Sequence, residues 1–156
     1  MLIQTKKFIN LRQPYAPNKL EIVTVKLVGG GKANDCSNNS LNLVEQDDDF
    51  RPITGWIVCA SKDIDNFEVI QHWWNADKKG NHIDTTPAIA GVVEYVVDLD
   101  LYKFAYQNYD AIDSIVGSSL QIRNENIIAV DEELGVGRKR KYRTLTTLDN
   151  HSIFNL

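Results

Sequence analysis

Cys36, His72 and Asp84 bring a thiol, an imidazole and a carboxylate, in that order, to a chain with two cysteines and three histidines. The chemistry open to such a set is nucleophilic acyl transfer. The thiolate is the nucleophile, and a free thiol is mostly protonated at neutral pH. An imidazole within hydrogen-bond reach takes that proton and later gives it to the leaving group. A carboxylate on the far side of the ring fixes its tautomer and orientation. Each residue alone has a plainer reading. The default for a lone cysteine is a buried, inert thiol, and a lone strand histidine is more often a packing residue than a catalyst. Cys36, however, is flanked by Asn34, Asp35, Ser37, Asn38 and Asn39. These polar neighbours point to an exposed, reactive sulfur, whereas Cys59 in "WIVCA" reads as core.

The elements that must position these groups follow from local pattern. Residues 20–28 (LEIVTVKLV) are rich in β-branched side chains and read as a strand. Gly29, Gly30 and Gly31 break it. Asn34 or Asp35 suits a helix N-cap, and Leu41, Leu43 and Val44 supply an apolar face. Cys36 then lies in the first turn, where unpaired N–H groups and the helix dipole favour a negative sulfur. The acidic run Glu45–Asp49 and Arg51-Pro52 end this helix. Residues 54–60, 67–74, 82–86 and 92–98 read as strands, with turns over 61–66 and 76–81. Residues 99–108 have helical spacing, "LQIR" and "NIIAV" are short strands, and 134–143 reads as an exposed loop. A helix followed by an antiparallel meander is an α+β pattern. A hairpin centred near Lys78 sets His72 opposite Asp84, about 5 Å apart. Trp73 and Trp74 face opposite ways on their strand. One packs in the core; the other shields the His–Asp pair or walls a substrate cleft. Asn75 reads as the start of the turn.

Composition bounds the rest. The 156 residues make one domain, 1–156, with 134–156 as a loop or peripheral tail. A hydrophobic content of 43% and a charged content of 24% are those of a soluble globular chain. The net charge of −4, and the single aromatic (Tyr142) within the basic run Arg138–Arg143, argue against nucleic-acid binding. That run is either a solvated face or a grip for an acidic partner. No apolar run approaches the ~18 residues of a membrane helix. "MLIQTKKFINLRQ" lacks the apolar region of a signal peptide, so a cytoplasmic protein is expected. Two cysteines suggest neither a disulfide framework nor a structural zinc site. His72, His82 and Asp84 form too sparse a set for a softer metal. No cofactor is expected.

The segments "CSNNS", "GWIV", "QHWWN" and "GNHIDTTP" contain H-x-W-N and G-x-x-x-D-x-T-P. In this order they resemble the papain-like and transglutaminase-like superfamily of thiol enzymes, in particular its small microbial and phage members. The resemblance covers roughly residues 34 to 87. It implies a papain-like α+β fold in which a helix carrying the cysteine packs on an antiparallel sheet carrying the histidine and the aspartate. It makes Cys36 the nucleophile, His72 the general base and acid, and Asp84 the orienting carboxylate. The oxyanion donors would be the Cys36 backbone N–H and Asn34, and Trp73 or Trp74 would flank the substrate. A protein or peptide would be the substrate, with water or an amine resolving the thioester. One alternative stays open: a non-catalytic interaction or inhibitor protein on the same shell, using the acidic or the basic run as its contact surface.

Overall fold

In a computed structural model of the protein, the described residues are 1–101, 119–134, 140–148 and 154. They form an α+β fold. Helix α1 (Ile3–Arg12) leads through a 3-10 turn (Gln13–Tyr15) to β1 (Glu21–Val23) and β2 (Val25–Leu27). Helix α2 (Cys36–Gln46) follows, then β3 (Phe50–Cys59), β4 (Asn66–Asp77), β5 (His82–Asp84) and β6 (Val93–Val97). The last three strands are β7 (Ser119–Arg123), β8 (Asn126–Leu134) and β9 (Arg140–Leu148). No helix among the described residues is long and apolar enough to cross a membrane.

The sheet is antiparallel except for the β2–β5 pair, and its main path runs β1-β6-β3-β4-β7-β8-β9. Strand β4 organises it. One edge of β4 pairs with β3 from Val69 to Asp77. The other edge pairs with β7 over Asn66–Ile70 and with β5 at Asn75 and Ala76. Residues 71–74 lie between those two partners. Beyond β5 comes β2, and only Thr24 separates β2 from β1. The order β1-β6-β3-β4-β5-β2 therefore starts and ends on one stretch of chain, and six strands close into a ring. Val23 and Val25 pack into the ring's apolar cluster with Ile53, Ile57, Trp74, Ala76, Tyr95 and Val97. The opposite face carries a second cluster, including Phe8 of α1, Trp56, Val69, Trp73, Ile122, Ile127 and Phe154.

Several expectations need correction. The strand expected over 20–28 is two short strands, because β1 and β2 pair with different partners on either side of Thr24. Helix α1 was not foreseen. Its inward positions are Gln4, Thr5, Phe8 and Arg12, so a mostly polar face is buried and no apolar stripe marks it. Arg12 is satisfied by Asp98 (Nε to Oδ2 2.8 Å) and by the Phe154 carbonyl (3.0 Å), and the Trp56 indole donates to the same Asp98 oxygen at 2.8 Å. Residues 134–143, expected as a loop, contain the last residue of β8 and the first four of β9, while 135–139 lie outside the described residues. Phe154, in the expected tail, is buried against Phe8 and Trp56. The helix expected over 99–108 begins at Leu99, where Asp98 Oδ1 accepts the Leu101 N–H at 2.9 Å; residues 102–118 lie outside the described residues.

Gly55 explains why a glycine precedes Trp56 in the middle of a core strand. It pairs with His72 on one side and Val97 on the other. A Cβ there would lie 2.0 Å from the Val96 carbonyl oxygen and 3.0 Å from the Trp74 ring. The obstacle is backbone, so the strands themselves must part. Gly55→Ala is expected to destabilise the fold by about 2–4 kcal/mol, measured as a lowered urea midpoint. A midpoint equal to that of the unsubstituted protein would contradict this packing.

Candidate active site

Cys36 is the first residue of α2 and is partly exposed. Asp35 occupies the N-cap position but makes no side-chain cap bond; its carboxylate accepts from the Asn38 amide at 2.7 Å. Asn34 is exposed, with φ of 56°, in the left-handed region that asparagine tolerates better than most residues.

The helix is held to the sheet by directional bonds. Its buried residues are Asn39 and Ser40, whereas Leu41 is exposed and Leu43 and Val44 are half-buried. The expected apolar face is thus not what docks it. The Ser40 hydroxyl donates to the Trp74 carbonyl at 2.9 Å, and the Asn75 amide donates to the Ser40 carbonyl at 3.0 Å. Asn75, expected to open the turn, is instead fully buried in β4 as an anchor for α2. Asn39 donates to the Lys32 carbonyl (2.8 Å) and to Thr86 Oγ1 (3.0 Å), and accepts the Lys32 N–H (2.9 Å). Gly31 lies so close to Asn39 that a Cβ would meet the amide at 2.5 Å. The glycine loop is thereby clamped between α2 and the β5 end.

His72 projects from β4 on the ring side, 4% exposed. Its Nε2 lies 2.7 Å from Asp84 Oδ2. The hairpin register pairs Asn75 with Ile83 and Ala76 with His82. Asp84 therefore sits diagonally from His72, opposite Trp74, not directly across as expected. The slip from the expected register is two residues, an even number, so both side chains stay on the same face. Asp84 is 2% exposed, and further donors stabilise its charge: the Thr86 N–H to Oδ1 at 2.9 Å and the Tyr95 hydroxyl to Oδ2 at 2.8 Å. Its backbone carbonyl accepts the Val28 N–H at 2.9 Å.

These contacts set the titration of the site. Burial alone would push the His72 imidazole down. The hydrogen bond to Asp84, then the influence of Cys36 and the charge of Asp84, outweigh it and push His72 up to about 9. Burial would raise the Asp84 carboxyl, but the bond and charge of His72, with Thr86 and Tyr95, hold it below its usual range. With Nε2 facing Asp84, Nδ1 is the ring nitrogen not committed to the carboxylate. Of the three residues singled out by type, His72 and Asp84 meet directly, and Cys36 is near enough to influence the His72 ring.

The two tryptophans divide as their alternation requires. Trp74 is 1% exposed and stacks on His72 (centroids 6.3 Å, interplanar angle 19°), closing the ring side of the His–Asp pair. Its indole N–H donates to His82 Nδ1 at 2.9 Å. Burial, then the charge of Arg51, holds His82 down against Glu21 and Asp77, which suits an imidazole acting as acceptor. Trp73 packs in the opposite cluster, against which Cys36 also lies. Among the described residues no group of three or more His, Cys, Asp or Glu is arranged to hold a metal ion. Burial and Glu68 push the Cys59 thiol up to about 11. Tyr95, Thr86, Ser40 and Asn39 were not singled out from sequence. The polar stretch after Cys36 points by type to an exposed sulfur; that Asn39 and Ser40 dock the helix is not legible in it.

No protein-family model, curated protein or solved structure matches the chain.

Since His72 titrates higher folded than unfolded, its contribution to stability is complete below about 6.5 and is lost as pH rises through about 9. The urea midpoint is expected to fall across that window. In Asp84→Asn and Cys36→Ala variants His72 should titrate lower, followed by the NMR shift of its ring protons. A midpoint that stays flat from pH 6.5 to 9 would exclude a raised His72.

Proposed function

We propose that the protein is a cysteine-dependent acyl-transfer enzyme of the papain-like and transglutaminase-like kind. The observation that carries this reading is one buried imidazole bonded to a carboxylate, with the partly exposed Cys36 thiol close enough to act on the same ring. The order of a helix opening on the cysteine, then the histidine and aspartate strands, supports the same family.

In the attacking form His72 holds the proton and sulfur carries the charge. Sulfur attacks the carbonyl carbon of an amide in a protein or peptide, and the C–S bond forms. The oxyanion is met by the Cys36 backbone N–H at the helix start, with the exposed Asn34 as second donor. His72 gives its proton to the amine, the C–N bond breaks, and a thioester remains. Water or an amine then attacks the thioester, His72 takes the proton of that nucleophile, and sulfur leaves as thiolate. Water gives a peptidase or amidase; an amine gives a transglutaminase-like transfer. A free thiol nucleophile suits a reducing compartment such as the cytoplasm.

An electrophilic acyl probe is expected to add once per chain, at Cys36, in the intact-mass spectrum. Cys36→Ala should abolish that adduct, and His72→Ala should slow its formation by about 100-fold or more. Equal labelling of His72→Ala and the unsubstituted protein would remove the case for activation. A Cys36→Ala protein that keeps its full biological effect would favour the non-catalytic interaction protein instead.

A further inference from the structure

Tyr95 lies in the middle of β6, opposite Ile57 of β3, among the apolar residues of the ring. Its ring meets Trp74 edge-on at 5.2 Å (83°) and His72 edge-on at 6.0 Å (71°). Phenylalanine would fill this place equally well. The hydroxyl, however, aims at Asp84 Oδ2 at 2.8 Å, the same oxygen that faces His72 Nε2 at 2.7 Å. Thr86 already serves the other oxygen. The hydroxyl therefore does not rescue an otherwise unserved atom; it shares the one that holds the histidine.

We infer that Tyr95 is a positioning residue that sets how tightly Asp84 holds the His72 proton. This rests on the proposed thiol chemistry. A phenol O–H places the positive end of its dipole on Oδ2 and takes part of the negative charge that would otherwise act on the imidazolium. It also pins the carboxylate from β6, so that Oδ2 cannot turn from the ring. With Tyr95 in place, the imidazolium is formed but releases its proton to the leaving amine more readily than an unshared carboxylate would allow. The carboxylate in turn pushes the phenol further above its own usual range, behind burial as the main cause, so Tyr95 stays a donor.

The test is the pH dependence of Cys36 alkylation by iodoacetate, with adducts located by peptide mass. The reagent is an anion drawn by the imidazolium, so its rate falls at high pH where His72 loses its proton. Tyr95→Phe is expected to move that alkaline limb upward by about half a unit or more. Site-specific 3-fluorotyrosine at position 95, a stronger donor of nearly the same shape, is expected to move it downward. A merely structural role would lower the melting temperature and leave the limb in place. If Tyr95→Phe does not fold, the fluorotyrosine protein decides alone. A limb present in the unsubstituted protein, lost in His72→Ala, yet unmoved by either change at Tyr95 overturns this inference and leaves the thiol chemistry standing. The same profile in the unsubstituted protein and in His72→Ala overturns both.

Discussion

A carboxylate withdrawn from water persists as an anion only if other donors replace the water. Asp84 meets that demand with a histidine from β4, a tyrosine from β6 and the N–H of Thr86 two residues on. The rest of the molecule can be derived from this requirement. Strand β5 is short and must sit beside β4, so the hairpin register is fixed. Strand β6 brings Tyr95 to the same face, with β3 lying between β6 and β4. The backbone carbonyl of Asp84 in turn receives the start of the glycine loop, which leads the chain towards Cys36. A site of three side chains thereby governs four strands, a loop and a helix.

The opposite face carries a counterpart with no chemistry assigned. Arg12 and Asp98 are both fully buried and joined at 2.8 Å, with Trp56 and Leu101 completing the carboxylate's donors. The two carboxylates differ in their cationic partners. A guanidinium is always protonated and cannot exchange its charge for a neutral form within the range of protein pH. An imidazole can do so. The Arg12 pair fastens α1 and the C-terminal Phe154 to the sheet, and the His72 pair leaves a proton that can move.

The legible part of the sequence was the part with simple periodicity or distinctive chemistry. The strands around "GWIV" and "FEVIQHWW" announce themselves by β-branched and aromatic content, and the helix start at Cys36 by its polar flanks. The His72–Asp84 contact was readable because a hairpin permits few registers, and the even slip kept both on one face. Helix α1 was not readable, since Gln4, Thr5 and Arg12 bury polar groups whose partners lie far along the chain. The splitting of 20–28 was hidden for a related reason. Val23 and Val25 look alike in sequence, yet their partners are β6 and β5, and only the closure of the ring separates them. Tyr95 was invisible because a tyrosine in "VEYVV" is an ordinary strand residue until its hydroxyl has a destination.

The docking of α2 through Ser40, Asn39 and Asn75 has a mechanical consequence. Apolar contacts are indifferent to small slides, so a leucine-faced helix can creep by a fraction of a turn as its neighbours repack. Hydrogen bonds with fixed donors and acceptors do not tolerate such creep. The helix behaves like a key in a slot: seated in one rotation, or out. Drift in the oily interior elsewhere can therefore soften the molecule without blurring where its sulfur points.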